Sequence, residues 1–172
     1  NTTSSTKVNV TTAYNTYQVN QELIKKIYNV YGYDVSYNTG ESFWYNGTEA
    51  TILTDENAAN TLLNAIYNAS GKFPVGFFRN IKPAHGFRIV LYKSINGASG
   101  VADYEFWDDY KMILSAENGF PSRVFYHEMW HIIEKYLEYK GSYFNNWSQL
   151  NPEGFTYGDN TNTYTPYDYE YD

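Results

Sequence analysis

Apolar residues recur along this chain in three stretches at helical spacing, separated by shorter runs that alternate or are continuously apolar. Val19, Leu23, Ile27 and Val30 fall at intervals of three and four, which predicts a helix over 17–31 that stops at Gly32. Ala58, Ala59, Leu62, Leu63 and Ile66 form a second stripe and predict a helix over 55–69, with Thr54 or Asp55 as its cap and Gly71 as its end. A third helix is predicted over 121–140. Pro121 suits its first turn, Gly141 lies just past its end, and Phe125, Met129, Ile132, Tyr136 and Leu137 line one face.

Between the second and third helices the pattern changes to strand. Phe87-Arg88-Ile89-Val90-Leu91-Tyr92 is β-branched and mostly apolar, as a buried strand would be. Lys111-Met112-Ile113-Leu114 is a short apolar run with polar neighbours, and 101–107 is a weaker candidate. Asn96-Gly97 marks a turn, so this region reads as a sheet made of hairpins. Residues 33–51 carry aromatics with Gly40 and Gly47, which suggests loops and short strands. Residues 1–12 read as a polar tail with a short strand over Lys7–Val10. No internal repeat or domain boundary interrupts 13–172, and 172 residues suit one α+β domain with a small mixed or antiparallel sheet.

Composition narrows the chemistry. The net charge of −7 argues against a nucleic-acid partner and against docking on anionic lipid. No run of 18 apolar residues is present, so no membrane span is expected. The chain has no cysteine, which excludes disulfides and thiolate metal sites, so any metal must be held by histidine and carboxylate. An acidic, Tyr- and Asn-rich chain of this kind suggests an exported bacterial protein, extracellular or at the cell surface.

Two of the three histidines stand in His127-Glu128-Met129-Trp130-His131 on the third predicted helix. Residues four apart project from one face of a helix, so both imidazoles can reach one Zn²⁺ at about 2.0–2.1 Å. Glu128 lies roughly 100° around the helix from His127, where it can take a proton from a water without itself binding the metal. The motif thus supplies two metal ligands, His127 and His131, and a general base, Glu128. A third ligand is not fixed by spacing. His85 lies upstream in a loop context, Glu134 and Glu138 share the helix and are expected to face solvent, and Glu153 sits in Asn151-Pro152-Glu153-Gly154 as a weak candidate. Tyr157 is a candidate donor to a carbonyl oxyanion, against the plainer reading of a packing aromatic.

Phe125 to His131, followed by Trp147-Ser148-Gln149-Leu150-Asn151-Pro152-Glu153-Gly154-Phe155-Thr156-Tyr157-Gly158, resembles a family of bacterial zinc-binding metallopeptidases that are exported or lipoprotein-like. These proteins pair the zincin motif with a Trp-x-x-Leu-Asn-Pro-x-Gly-Phe-x-Tyr segment. The resemblance covers about residues 87–158, and Phe73-Pro74-Val75-Gly76-Phe77-Phe78 before it also fits. It implies a zincin-like metalloprotease domain over 13–172. It further implies that the third ligand is a glutamate in an acidic helix beyond the Tyr-rich loop, past residue 172, so that a C-terminal segment is expected to be missing.

The chain is therefore read as a zinc-dependent endopeptidase acting on a peptide or protein substrate. An edge strand before the motif helix, Lys111–Leu114 or 101–107, would bind the substrate backbone. Two rivals stay open: an aromatic-rich extracellular module that binds glycan or protein without metal, and a truncated zincin that folds without turning over.

Overall fold

The computed structural model describes the backbone of residues 3–81, 86–105, 109–117 and 122–139, and side chains over 14–81, 86–103, 110–117 and 122–137. Among these the chain is α+β, with four helices and a small mixed sheet.

Helix α1 spans Thr3–Tyr31. It takes in Lys7–Val10, where the sequence suggests a strand within a tail: a helix already anchored further along gains one hydrogen bond for each residue it adds, whereas a lone strand has no partner. The buried face of α1 also differs from the apolar count. Ile27 is fully buried and Leu23, Ile24 and Tyr31 pack beside it, but Val19 and Val30 are 52% and 50% exposed. The face is rotated onto Asn20, which is fully buried. Its amide donates to the Glu56 backbone oxygen at 2.9 Å, to Glu56 Oε2 at 2.8 Å and to the Tyr37 hydroxyl at 3.3 Å, and its own oxygen accepts from Asn60 at 2.8 Å. A buried amide with every group engaged is tolerable, and it pins α1 to the following helix. Gly32 ends α1 in the left-handed region at φ +86, with its N–H on Tyr28 O.

Helix α2 spans Glu56–Ser70 and is capped by Asp55, whose carboxylate accepts from the backbone N–H groups of Asn57 and Ala58. Ala59, Leu62, Leu63 and Ile66 are buried, as the stripe predicts. A short helix, α3, covers Phe77–Asn80.

The strands are β1 (Asp34–Tyr37), β2 (Trp44–Tyr45), β3 (Thr48–Glu49), β4 (Thr51–Ile52), β5 (Phe87–Ser94), β6 (Gly100–Glu105) and β7 (Asp109–Ser115). The main sheet runs β1-β5-β7-β6, with β4 against the end of β5 and β2–β3 as a separate hairpin. β5 is parallel to both β1 and β7, so the centre of the sheet is not built of hairpins. Within the main sheet β6–β7 is an antiparallel hairpin, with Val101 opposite Ile113 and Asp103 opposite Lys111, and β4 also runs antiparallel to β5. This order also decides the edge. Among the described residues β7, which contains Lys111–Leu114, is interior, and β6 is the outermost strand on that side.

Both sheet faces are covered, which is why β5 reads as a nearly continuous apolar run. Phe87, Ile89, Leu91, Tyr110, Met112 and Leu114 face the helices, while Val90, Tyr92 and Ile113 pack with Ala50, Ile95 and Phe43 on the other side. On that second side Lys111 is 5% exposed. Its ammonium stands 3.3 Å from Glu41 and 3.4 Å from Asp103, and Glu41 also accepts from both Arg88 terminal nitrogens at 2.9 and 3.1 Å. The guanidinium beside Glu41 holds its carboxyl below the ordinary glutamate range, against the opposing effect of partial burial.

Helix α4 spans Ser122–Tyr139 and carries the His-Glu-x-x-His motif. Phe125, Met129 and Ile132 are fully buried in the core cluster, each worth about 1.5–3 kcal/mol of burial. They seat α4 against α2, β6 and β7.

Candidate active site

The motif helix is oriented by its apolar stripe. With Phe125, Met129 and Ile132 committed to the core, His127 and His131 are turned outward and Glu128 toward the sheet edge, where it is only 7% exposed.

The two imidazoles meet. Their Nε2 atoms are 3.2 Å apart, with ring centroids 4.7 Å apart and the rings perpendicular. Two ligands of a tetrahedral zinc, each at 2.0–2.1 Å, stand about 3.3 Å apart. The pair fits that spacing, although one neutral imidazole donating to the other would give a similar separation. The other nitrogen of His131, Nδ1, lies 3.5 Å from Glu134 Oε2. That is long for a hydrogen bond but places a carboxylate on the side of the ring where metal-bound histidines usually have one.

Glu128 occupies the seam between α4 and β6. The backbone N–H of Ala102 donates to its carboxylate. β6 is the outermost strand, so its outward amides have no ladder partner among the described residues, and Glu128 takes one of them. Burial pushes the Glu128 carboxyl above the ordinary glutamate range, while His127, His131 and the Ala102 N–H each pull it back. Close approach of the two elements depends on Gly100. A Cβ there would stand 2.7 Å from Val124 Cγ1, 2.9 Å from Glu128 Cγ and 3.1 Å from Glu128 Oε1. Beside this seam opens a cleft of about 390 Å³ lined by Ala98, Ser99, Gly100, Arg123, Val124, His127 and Glu128.

The structure therefore brings His127, His131 and Glu128 to one place. Among the described residues no group of three metal-ligating side chains is gathered. His85, Glu153, Tyr157 and the Trp147–Gly158 segment lie outside the described residues, as does the Glu138 side chain. Gly100, the Ala102 amide and Arg123 escaped the sequence reading. The first two act across chain-distant contacts and leave no local pattern. Arg123 does leave one, since it stands four residues before His127 on the same helix.

No family model, curated protein or solved structure matches this chain.

Proposed function

We propose that this chain is a zinc-dependent peptidase in which His127 and His131 hold the metal and Glu128 is the general base, on a zincin-like domain. The observation that carries the reading is the conjunction of two imidazole nitrogens at 3.2 Å with a carboxylate buried beside them at the mouth of a cleft. A pair of surface histidines would need neither the buried carboxylate nor the cleft.

Bound zinc would polarise a substrate carbonyl and bring the pKa of a coordinated water to about 7. The rest falls to the protein. His127 and His131 supply nitrogen donors from one helix, and Glu134 stands 3.5 Å from the other nitrogen of the His131 ring. Glu128, with its proton affinity raised by burial, accepts a proton from the attacking water and delivers it to the leaving amine. The Ala102 amide and the Gly100 contact hold the carboxylate in one position for both transfers. The outer edge of β6 offers backbone groups to which an extended peptide can add as a strand, in the place the sequence assigned to 101–107 or Lys111–Leu114. Among the described residues no third ligand is gathered with the pair, and Glu153, the weak candidate, lies outside them.

Zinc content by elemental analysis, read beside hydrolysis of a quenched fluorescent peptide mixture, tests the proposal. About one zinc per chain is expected, lost in His127→Ala. Glu128→Gln should keep the metal and lose hydrolysis. Hydrolysis surviving Glu128→Gln, or zinc content unchanged in His127→Ala, refutes it.

A second reading, an extracellular module binding glycan or protein through aromatics, is favoured by Tyr14, Tyr28 and Trp44, which are 63%, 50% and 63% exposed. It predicts binding that Glu128→Gln leaves unchanged and that no metal chelator disturbs.

A further inference from the structure

The cleft beside Glu128 is lined by neutral residues and the motif, with one exception. Ala98, Ser99, Gly100 and Val124 carry no charge, and Arg123 is the only lysine or arginine among the lining residues. Arg123, His127 and His131 stand four residues apart in series, so Arg123 lies one helical turn before the first histidine, and both line the cleft.

Among the described residues nothing engages this cation. Arg123 makes no ion pair or hydrogen bond with the described residues, unlike Arg88 and Lys111, which are held by carboxylates. It is exposed and outside the buried cluster. It also sits in the first turn of α4, the end of a helix that favours negative rather than positive side chains. A cation placed against the helix dipole, without a partner among the described residues, at the wall of a cleft that contains the proposed base, is set to meet an anion from outside.

We propose that Arg123 determines substrate preference by binding a carboxylate of the peptide next to the bond to be cut. The bond is a guanidinium–carboxylate pair, for which the planar fork of arginine is suited. The carboxylate has two sources, an Asp or Glu side chain or the C-terminus of the peptide. The first would make the enzyme selective for acidic sequences, and the second would make it trim chain ends. The chain's net charge of −7 does not oppose this locally. At physiological salt, charges more than about 8 Å away are largely screened, and a contacting guanidinium dominates. This assignment rests on the peptidase reading of the cleft, so its test includes a readout independent of turnover.

Zinc-supplemented protein is titrated with hexapeptides blocked at both ends, carrying a single Glu at each position in turn or Gln at all of them. A further all-Gln peptide has a free C-terminal carboxylate. At least one charged peptide should bind about tenfold tighter than its neutral counterpart, the ratio a charge-assisted hydrogen bond supplies. Arg123→Gln should erase the difference, Arg123→Lys should keep part of it, and Arg123→Glu should transfer the preference to peptides with Lys. Preference for the side-chain carboxylate or for the terminal one identifies the source. Equal binding of charged and neutral peptides by the wild type, no binding of either, or a preference that survives Arg123→Gln overturns the proposal. Charge preference without hydrolysis would sink the peptidase reading and with it the role in substrate preference, leaving Arg123 as a carboxylate-binding residue only, whereas hydrolysis blind to charge would overturn the assignment and leave the peptidase reading standing.

Discussion

Replacing Gly100 with alanine isolates the contact that seats Glu128, the proposed base. The backbone at Gly100 does not lie in the left-handed region, so alanine is free of backbone strain there, and the added methyl is the whole perturbation. That methyl would stand 2.7 Å from Val124 Cγ1 and 2.9 Å from Glu128 Cγ. Carbon atoms settle at about 3.5–4.0 Å, so either α4 or β6 must retreat by roughly 0.6–0.8 Å, or Glu128 must change rotamer. Overpacking of this kind costs about 1–3 kcal/mol. For a domain of this size that is a fall in Tm of roughly 2–12 °C. The larger consequence is for the base. A displacement approaching 1 Å at a proton-transferring group lowers turnover by up to about 100-fold. The histidines face outward from α4, and the atoms nearest an added methyl belong to Val124 and Glu128, so zinc content should stay at the wild-type level. The assay is peptide hydrolysis and elemental zinc measured on one preparation, with Ser99→Ala as a control in the same cleft. Full activity of Gly100→Ala would refute the claim that this contact positions Glu128. Equal loss of zinc and activity would refute the separation of metal site from base.

Other perturbations test the frame around the site. Phe125→Ala removes a fully buried ring from under the motif helix and should cost about 3–5 kcal/mol in urea unfolding, with loss of zinc retention. Asn20→Ala leaves the Glu56 carbonyl and the Asn60 amide without their partner and should cost roughly 2–3 kcal/mol, measured the same way. Glu41→Gln weakens the pair with Arg88 and should cost on the order of 1 kcal/mol at neutral pH. Because the folded Glu41 carboxyl is held below its ordinary range, its stabilisation is present above that range and disappears as pH falls through the folded value. Tm curves of wild type and variant should therefore converge in acid. Divergence there would show the sign to be wrong.

Local patterns in the sequence were good guides wherever packing obeyed them. The stripe of α2, its Asp55 cap, the run of β5 and the span of α4 all follow from periodicity and end signals. Periodicity misjudged α1 because it counts apolar residues, and the face that packs contains Asn20 in place of Val19. No apolar scale anticipates that a polar side chain enters the core when four hydrogen bonds meet it. The parallel centre of the sheet was equally hidden. β5 and β7 are joined through β6, which lies outside β7, so neighbours in sequence are not neighbours in the sheet. Turn residues such as Asn96-Gly97 mark a reversal but say nothing about which strand the chain then joins.

The candidate site divides along the same line, and the division has a mechanistic consequence. The histidine pair is a local device: four residues of helix fix both rings, and nothing beyond α4 is needed to bring Nε2 to Nε2. The environment of Glu128 is a tertiary one. It needs β6 at the sheet edge, an amide from Ala102 and the absence of a side chain at Gly100. Metal capture by the two rings should therefore tolerate loosening of the β6–β7 hairpin, while proton transfer should not. A chain whose hairpin is disordered would keep the two histidines together and still lose the carboxylate that makes them useful. The helix carries the motif, but it is the edge strand that buries Glu128 and holds its carboxylate in the position the proposed base would need.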